Sequence, residues 1–337
     1  MKKLLSTLLA IILCVTAFCV VGCKNNTQGV VQIKYYSSAD DMTRMLKSGK
    51  LNVGLLPEPE ATQLTKESSD KTWYRMDLQE LYDSQNKVYP QAVVLVKQSL
   101  LNTYPSVITT MAQGFNDNLQ WIKENTELAV NAVNTHLEKG VAASLKVANI
   151  TSSVVDGCKI YWQDGSDAKS AVKNYIQDIM SIEPLSAKAV EDDLFYSGDC
   201  SGSFNGEKIS VVAPYGAPAL AIAKYINDGE NFGTGKEFSY KVVASSKIGS
   251  AVQKGEGDIV IIPVNAASKL YKANSSDTYK LVSVVTHGNL YIMSTEKIGS
   301  IKQLKDKVVG VIGQGLVPDL TFRVVLNKQQ MTTEIAK

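Results

Sequence analysis

One internal repeat constrains the fold of this 337-residue chain more than any other feature. Residues 46–57 read LKSGKLNVGLLP and residues 252–263 read VQKGEGDIVIIP, so both run from a helical end through a glycine turn into a buried-type strand that stops at proline. Upstream of each copy, a β-rich run ends in a Ser-Ser pair that opens a helical stretch. Such self-similarity indicates two copies of one α/β unit.

A second pair of similar segments completes each unit. Residues 209–218 and 308–318 each contain a buried-type strand, a glycine turn and a proline suited to the first turn of a helix. Each unit therefore alternates strands and helices, which implies parallel strands joined by right-handed crossovers. We predict an α/β fold of two lobes, each a mostly parallel sheet flanked by helices, with two strand segments crossing between the lobes as a hinge.

The first 23 residues have the layout of a secretory signal. Lys2 and Lys3 precede an apolar run over residues 4–21, which ends at Gly22 and Cys23. This ending resembles the lipobox of bacterial lipoproteins, in which the cysteine becomes the lipidated N-terminus. The resemblance implies a chain that is exported and anchored to the cell membrane by acyl chains such as palmitate on Cys23, facing the outside or the periplasm. An uncleaved transmembrane helix is the alternative.

The two units differ in chain order. One is continuous from residue 208 to residue 271, whereas the other has its first half at 307–330 and its second half at 30–64. Circular permutation is the simplest explanation, and an error of gene assembly is the alternative. The predicted divisions are a signal peptide at 1–22, a lipidated N-terminus and linker at 23–29, the second half of lobe 2 at 30–88, a hinge strand and the helical part of lobe 1 at 89–198, a linker at 199–207, the first half of lobe 1 at 208–280, a hinge crossing at 281–300 and the first half of lobe 2 at 301–337.

Composition disfavours several classes of function. The formal net charge is +2 and the only arginines are Arg44, Arg75 and Arg323, so nothing indicates nucleic-acid binding. With two histidines and no zinc, nucleophile-elbow or phosphate-loop motif, the chain is predicted not to be an enzyme and to need no metal or cofactor. Cys158 and Cys200 could form a disulfide or stay as free thiols, and their spacing does not decide this.

Five segments carry a family resemblance: residues 55–59, 216–218, 263–267, 286–291 and 313–315. With the two-lobed pattern and the lipobox, they resemble the solute-binding proteins of ABC importers, and more narrowly the nitrate, taurine, aliphatic-sulfonate and thiamine-precursor binding family. The resemblance implies a periplasmic-binding-protein-like (type II) fold, a monomer that captures a small molecule, and an ABC permease as partner. A lipid-anchored ligand sensor and, less favoured, an exported enzyme on the same fold are the alternatives.

The predicted binding site lies beyond the carboxyl ends of the parallel strands, where glycine and proline loops deliver helix N-termini. Glycines let a ligand approach the backbone, serines can cap a helix or donate a hydroxyl, and tyrosine rings can stack. The loops and the family motifs together predict these ligand-binding residues: Ser37, Glu58, Tyr89, Tyr215, Gly216, Ala217, Ser245, Ser246, Asn265, Ala266, Thr286, His287, Gly315 and Leu316.

The class of ligand depends on the charges near these loops. Helix N-termini and hydroxyls suit an oxyanion, but no arginine falls in a cleft loop to bind one bidentately. Glu58 would repel an anion and attract an amino or ring N–H group, and Tyr89 and Tyr215 would stack on a flat ring. We therefore favour a heterocycle such as a thiamine-precursor pyrimidine, with sulfonates, taurine and nitrate left open. His287 is predicted either to contact ligand or to be a satisfied structural histidine.

Overall fold

The computed structural model describes residues 29–272 and 279–336, so the predicted signal peptide and Cys23 lie outside the described residues. The strands are β1 Gly29–Tyr36, β2 Val53–Pro57, β3 Tyr74–Asp77, β4 Ala92–Lys97, β5 Ile160–Asp164, β6 Lys208–Pro214, β7 Glu237–Val243, β8 Ile259–Pro263, β9 Tyr279–Thr286, β10 Leu290–Ser294, β11 Val308–Ile312 and β12 Met331–Ile335. The α-helices are α1 Ala39–Lys47, α2 Glu60–Glu67, α3 Leu78–Tyr82, α4 Gln98–Thr103, α5 Ser106–Glu124, α6 Thr126–Thr135, α7 Ser152–Gly157, α8 Gly165–Ile182, α9 Ala217–Leu220, α10 Ala223–Asp228, α11 Ile248–Gln253, α12 Val264–Leu270 and α13 Val317–Lys328. Short 3-10 helices occur at Val147–Asn149, Asp192–Leu194 and Ile301–Leu304.

The strands form two six-stranded sheets flanked by helices, which confirms the predicted two-lobed α/β class. The first sheet has the order β12-β1-β11-β2-β10-β3 and the second has the order β5-β9-β4-β8-β6-β7. In the first sheet β10 is antiparallel to both of its neighbours, and in the second sheet β4 and β9 are antiparallel to theirs. Each lobe therefore has a parallel portion followed by strands of mixed direction.

Three parallel strands of one sheet correspond to three of the other, and β12 is a fourth parallel strand at the edge of the first sheet. The repeat strands β2 and β8 each pair in parallel with a strand that enters a glycine turn, β11 and β6 respectively. Those strands in turn pair in parallel with the strands that precede the Ser-Ser pairs, β1 and β7. One sheet takes these three strands from residues 208–263, whereas the other takes them from both ends of the described chain. The two copies of the repeat therefore occupy equivalent positions in the two sheets.

Small residues in the first sheet allow one helix to pack closely on it. A Cβ atom at Gly310 would lie 2.5 Å from Leu51 Cδ2 and 2.8 Å from Met42 Sδ, and one at Gly54 would lie 2.9 Å from Leu46 Cδ1. Met42 and Leu46 are buried side chains of α1. Because larger residues at the two glycines would push α1 away, the sequence fixes the distance at which this helix covers the strands.

Two segments cross between the lobes. Residues 287–289 connect β9 of the second sheet to β10 of the first, and residues 78–91 connect β3 of the first sheet to β4 of the second. Helix α8, which lies in the stretch predicted as the helical part of lobe 1, also packs on α13 of the other lobe, where Tyr175 Oη lies 2.5 Å from Thr321 Oγ1. The lobes are therefore connected through both crossings and through this helix.

Two further sequence questions concern the membrane and the thiols. Among the residues that the structure describes, no helix has the length and apolar character needed to span a bilayer.

Cys158 is buried and Cys200 is half-buried, and both are free thiols. The open choice between a disulfide and unpaired cysteines is therefore resolved in favour of unpaired cysteines.

Candidate ligand-binding cleft

A cleft with a volume of about 630 Å³ lies between the two lobes. The loops that follow β1, β2 and β11 line it from the first lobe, and the loops that follow β6, β7 and β8 line it from the second. These loops are at the carboxyl ends of the parallel strands, where open α/β sheets bind ligands. The volume is within the usual range for a site that encloses one small molecule.

Most of the sequence-predicted site residues line this cleft. The structure brings together eleven of the fourteen: Ser37, Glu58, Tyr215, Gly216, Ala217, Ser245, Ser246, Asn265, Ala266, Gly315 and Leu316. They come from both lobes, and residues more than two hundred positions apart in the chain share the same cavity. The repeat therefore located the loops of the cleft correctly, and a ligand contact for each residue stays a prediction.

The other three predicted residues lie in the hinge and not along the cleft. Tyr89 is 1 % exposed and its ring stacks on Tyr175 with the centroids 5.2 Å apart. Thr286 is completely buried at the end of β9. Both pack inside the protein at the crossing between the lobes, so the expectation that they face the ligand is not met by this structure.

His287 is a satisfied structural histidine, which was one of its two predicted roles. In the neutral ring Nδ1–H donates to the Lys159 carbonyl oxygen at 3.3 Å, and Nε2 lies 3.2 Å from the side-chain amide of Gln163. The ring stacks on Tyr161 with the centroids 3.5 Å apart. Burial lowers the pKa of His287 to about 3, so the ring is neutral at physiological pH.

Three of the cleft serines direct their hydroxyl hydrogens into the protein, whereas the Ser246 hydroxyl has no partner among the described residues. Ser37 Oγ and Ser38 Oγ both donate to Asp41 Oδ2, at 2.5 and 2.9 Å, and Ser38 also caps α1 by accepting from the Asp41 backbone N–H. Ser245 Oγ donates to the carbonyl oxygen of Tyr215 at 3.3 Å. These three hydroxyls therefore present lone pairs to the cleft, and the expected hydroxyl donation to an anion lacks free hydrogens at these positions.

Glu58 does not have the role that its sequence position suggested. It is 2 % exposed, and its Oε1 lies 2.6 Å from Arg75 Nη1 and 2.8 Å from Thr62 Oγ1. Its Oε2 accepts from the backbone N–H of Thr62 at 3.0 Å. Because these partners already neutralise and bond the carboxylate, Glu58 is not available to attract a ligand amino group, and the interpretation as a solvated loop residue is wrong as well.

Glu60 is the acidic residue that sequence reasoning missed. It is the first residue of α2, it lines the cleft, and it is half-buried. Among the described residues its carboxylate has no ion-pair partner, and only its own backbone N–H bonds to it. Burial and the nearby negative charges of Glu58 and Asp40 raise the pKa of Glu60 to about 7. In the repeat Glu60 aligns with Ala266, so applying that alignment to the predicted contact at Ala266 would have identified it.

Gln91 is a second residue that the sequence did not indicate. It is the last residue of the crossing 78–91 and lines the cleft with Asn289. Its Nε2 donates to Asn289 Oδ1 at 3.0 Å, while its buried Oε1 has no hydrogen-bond partner among the described residues. A buried acceptor without a partner costs about 1–3 kcal/mol, so this oxygen is suited to receive a donor from a bound molecule.

Tyr215 lines the cleft, and its hydroxyl is hydrogen-bonded to other protein groups. The hydroxyl donates to Asn134 Oδ1 at 3.0 Å and accepts from the backbone N–H of Leu145. Burial raises the pKa of Tyr215, and Glu60 lines the same cleft from the other lobe. An aromatic face beside a carboxylate can stack on a flat molecule and bond to its N–H groups at the same time.

Comparison with known proteins gives limited information. No family model and no curated protein matches the chain. Solved structures that match include an oligopeptide ABC transporter periplasmic oligopeptide-binding protein from Thermotoga maritima, with 16 % identity and a TM-score of 0.30 over 68 % of this chain and 40 % of that one. NikA from Brucella suis in complex with Fe(III)-EDTA matches with 11 % identity and a TM-score of 0.31 over 78 % and 57 %. AppA from Bacillus subtilis, an oligopeptide-binding protein in complex with a nonapeptide, matches with 8 % identity and a TM-score of 0.29 over 77 % and 54 %.

This chain therefore spans between about two fifths and three fifths of the length of those proteins. Identities this low concern the fold alone, and at TM-scores near 0.3 the likeness carries no argument about what the cleft binds.

Proposed function

We propose that this chain is an extracytoplasmic solute-binding protein that captures one small molecule between its lobes and delivers it to an ABC-type importer. The observation that carries the proposal is the cleft of about 630 Å³ at the carboxyl ends of the strands, lined by matched loops from both lobes. A molecule enclosed there would contact both lobes at once. Binding would therefore favour one relative position of the lobes, which is the signal that a transport partner can read.

The contacts between the lobes at one side of the cleft are of a kind that can break. Lys66 Nζ of α2 donates to the carbonyl oxygen of Ala148 at 2.8 Å, and Glu67 pairs with Lys146 at 2.8 Å. Both lysines are solvent-exposed, and such contacts typically contribute no more than about 1 kcal/mol each. Small costs of this size are consistent with lobes that separate to admit a solute and close again.

The anchoring of the protein is a further part of the proposal. We propose that Cys23 carries the lipid and that residues 24–29 link it directly to β1 of the lobe that takes strands from both ends of the chain. The protein would then lie outside the cytoplasm with that lobe nearest the membrane. Metabolic labelling with palmitate tests the attachment. The Cys23→Ala variant should not be labelled, and labelling of that variant would contradict the proposal.

The chain order is consistent with a circular permutation of the nitrate, taurine, aliphatic-sulfonate and thiamine-precursor binding family. The support is the order of the equivalent strands along the chain: β6 precedes β7 and β8 in one lobe, whereas its counterpart β11 follows β1 and β2 in the other. Resequencing the locus tests this proposal. A gene with residues 208–337 ahead of residues 30–196 would contradict it.

A thermal-shift screen of the mature chain without its lipidated Cys23, residues 24–337, tests the function itself. The panel should contain taurine, ethanesulfonate, nitrate, 4-amino-5-hydroxymethyl-2-methylpyrimidine and benzamidine. We expect at least one compound to raise the melting temperature, because a ligand that binds only the native state at about 100 times its dissociation constant adds about 2.7 kcal/mol. If no compound of the panel shifts the melting temperature, the proposed function is contradicted for all the solute classes that the sequence and the cleft favour.

A further inference from the structure

We propose that the solute is a flat organic cation with N–H donors, such as a protonated amidine or aromatic amine, and that the Glu60 carboxylate binds its charged end. This inference rests on the proposed solute-binding function and names the class of ligand. It is carried by the unpaired Glu60 carboxylate and the Gln91 acceptor, and by the negative charges that line the cleft with them.

The cleft offers two hydrogen-bond acceptors to a ligand. The Glu60 carboxylate lines the cleft without an ion-pair partner in the part of the chain that the structure describes. Gln91 Oε1 is a buried acceptor of the same cleft and has no partner there either. An N–H group of a ligand would satisfy either atom and remove the cost of leaving it unpaired.

Several donors of the cleft are bonded to other protein groups. The Asn265 side-chain amide donates to the Ser186 carbonyl oxygen at 3.1 Å, and the Gly315 backbone N–H donates to Asp319 Oδ2 at 2.8 Å. The hydroxyls of Ser37, Ser38 and Ser245 are also directed inward, whereas Ser246, Ser250 and Lys269 line the cleft without a side-chain partner among the described residues. At the Glu60 side of the cleft, an oxyanion would receive no hydrogen from Ser37 or Ser38 and would be repelled by Asp40 and Glu60.

The charges of the cleft agree with this assignment. Asp40, Glu58 and Glu60 line it, and Lys269, an exposed side chain of α12, is the one cationic residue among the lining residues that the structure describes. Arg75 neutralises Glu58, which leaves two acidic side chains, Asp40 and Glu60, against the one lysine. A positive ligand is attracted to such a site and a negative one is repelled.

The shape of the ligand follows from Tyr215. It lines the cleft, its hydroxyl is bonded to Asn134 and Leu145, and Glu60 lines the same cleft from the other lobe. A flat cation could therefore stack on the ring while its N–H groups reach the carboxylate. Cation–π attraction would add to the ion pair in this arrangement.

The ionisation of Glu60 predicts how binding depends on pH. The groups that face it are Glu58 and Asp40 on its own lobe and Tyr215 and Cys158 on the other. Burial and the first two groups hold the pKa of Glu60 at about 7. A cation needs the ionised carboxylate, so its affinity should be highest at pH 8 and should fall by about tenfold per pH unit below 7.

Three ligands of the same shape test the inference, namely benzamidine, benzamide and benzoate, which carry charges of about +1, 0 and −1 at pH 8. Thermal shift and calorimetric titration of the mature chain at millimolar ligand should show binding in the order benzamidine, benzamide, benzoate. Glu60→Gln should weaken benzamidine binding at least about tenfold at pH 8 and remove its pH dependence. Glu127→Gln, at an exposed first-turn position of α6 outside the cleft, is the matched control and should bind benzamidine normally.

A second measurement shows that the variant is folded. In the ligand-free protein, Glu60→Gln should raise the melting temperature more at pH 8 than at pH 5, because the elevated pKa of Glu60 means that its stabilising protonated form is lost as the pH rises through about 7. Benzoate binding as tightly as benzamidine, no benzamidine shift at all, or equal benzamidine affinity in Glu60→Gln would each overturn the inference. If the inference is overturned but taurine, ethanesulfonate or nitrate raises the melting temperature, the solute-binding function is still supported.

Discussion

Replacing Arg75 with methionine should lower the free energy of unfolding by about 3 kcal/mol. The Glu58 carboxylate is almost completely buried, and the guanidinium of Arg75, 2.6 Å from it, is its only ion-pair partner among the described residues. The substitution would leave an uncompensated buried charge, since Thr62 supplies hydrogen bonds but no positive charge. It would also remove the contact of the guanidinium with the face of Tyr291, 3.3 Å from the ring centroid.

Urea denaturation measures this effect, with Arg44→Met as the matched control. Arg44 pairs with Asp41 on the surface of α1 with its side chain 69 % exposed, so its loss should cost less than about 1 kcal/mol. The double variant Arg75→Met with Glu58→Gln should recover part of the stability, because the buried charge is then absent. Equal destabilisation by Arg75→Met and Arg44→Met would show that the ion pair at Glu58 has no special importance.

The repeat made much of the architecture predictable from the sequence. Copies that end at Pro57 and Pro263 mark equivalent strands, and their loops were expected at one end of each sheet. The structure has these strands as β2 and β8, each beside the strand that enters a glycine turn. Prediction succeeded here because buried strands and glycine turns are specified by local sequence, and because two similar copies reinforce one another.

The positions of the hinge side chains could not be predicted from the sequence. Tyr89 and His287 belong to segments that approach the cleft, yet both are packed inside the protein. Two residues further along each crossing, Gln91 and Asn289 line the cleft instead. Local sequence does not reveal on which side of a crossing a side chain lies, because that depends on how the two lobes pack against each other.

The acidic residues of the cleft were mispredicted for a related reason. Glu58 and Glu60 are both in the loop and first helical turn after β2, and their sequence positions make them equally suitable for ligand binding. Arg75, in a different strand, is bonded to Glu58 and leaves Glu60 unpaired. Only the tertiary structure determines which carboxylate has a partner, and so which is free to meet a ligand.

Replacing Gly249 with tryptophan should abolish solute binding, with an affinity loss of at least about a hundredfold. Gly249 lines the cleft from the first turn of α11, and a Cβ atom added there would have no heavy atom within 4 Å. Its backbone is also free of the left-handed conformation that would strain a larger residue. The indole should therefore project into open space in the cleft and occupy the volume that a solute needs, while the lobes stay folded.

Calorimetric titration of this variant tests the central claim, that the cleft between the lobes is the solute-binding site. The titrant is the compound that gives the largest thermal shift with the unmodified chain, and Gly249→Ala is the control that keeps the cleft open. We predict one binding site per chain for the unmodified protein and for Gly249→Ala, and no measurable binding for Gly249→Trp. Binding of that compound to a folded Gly249→Trp variant with unchanged affinity would place the solute elsewhere and contradict the claim.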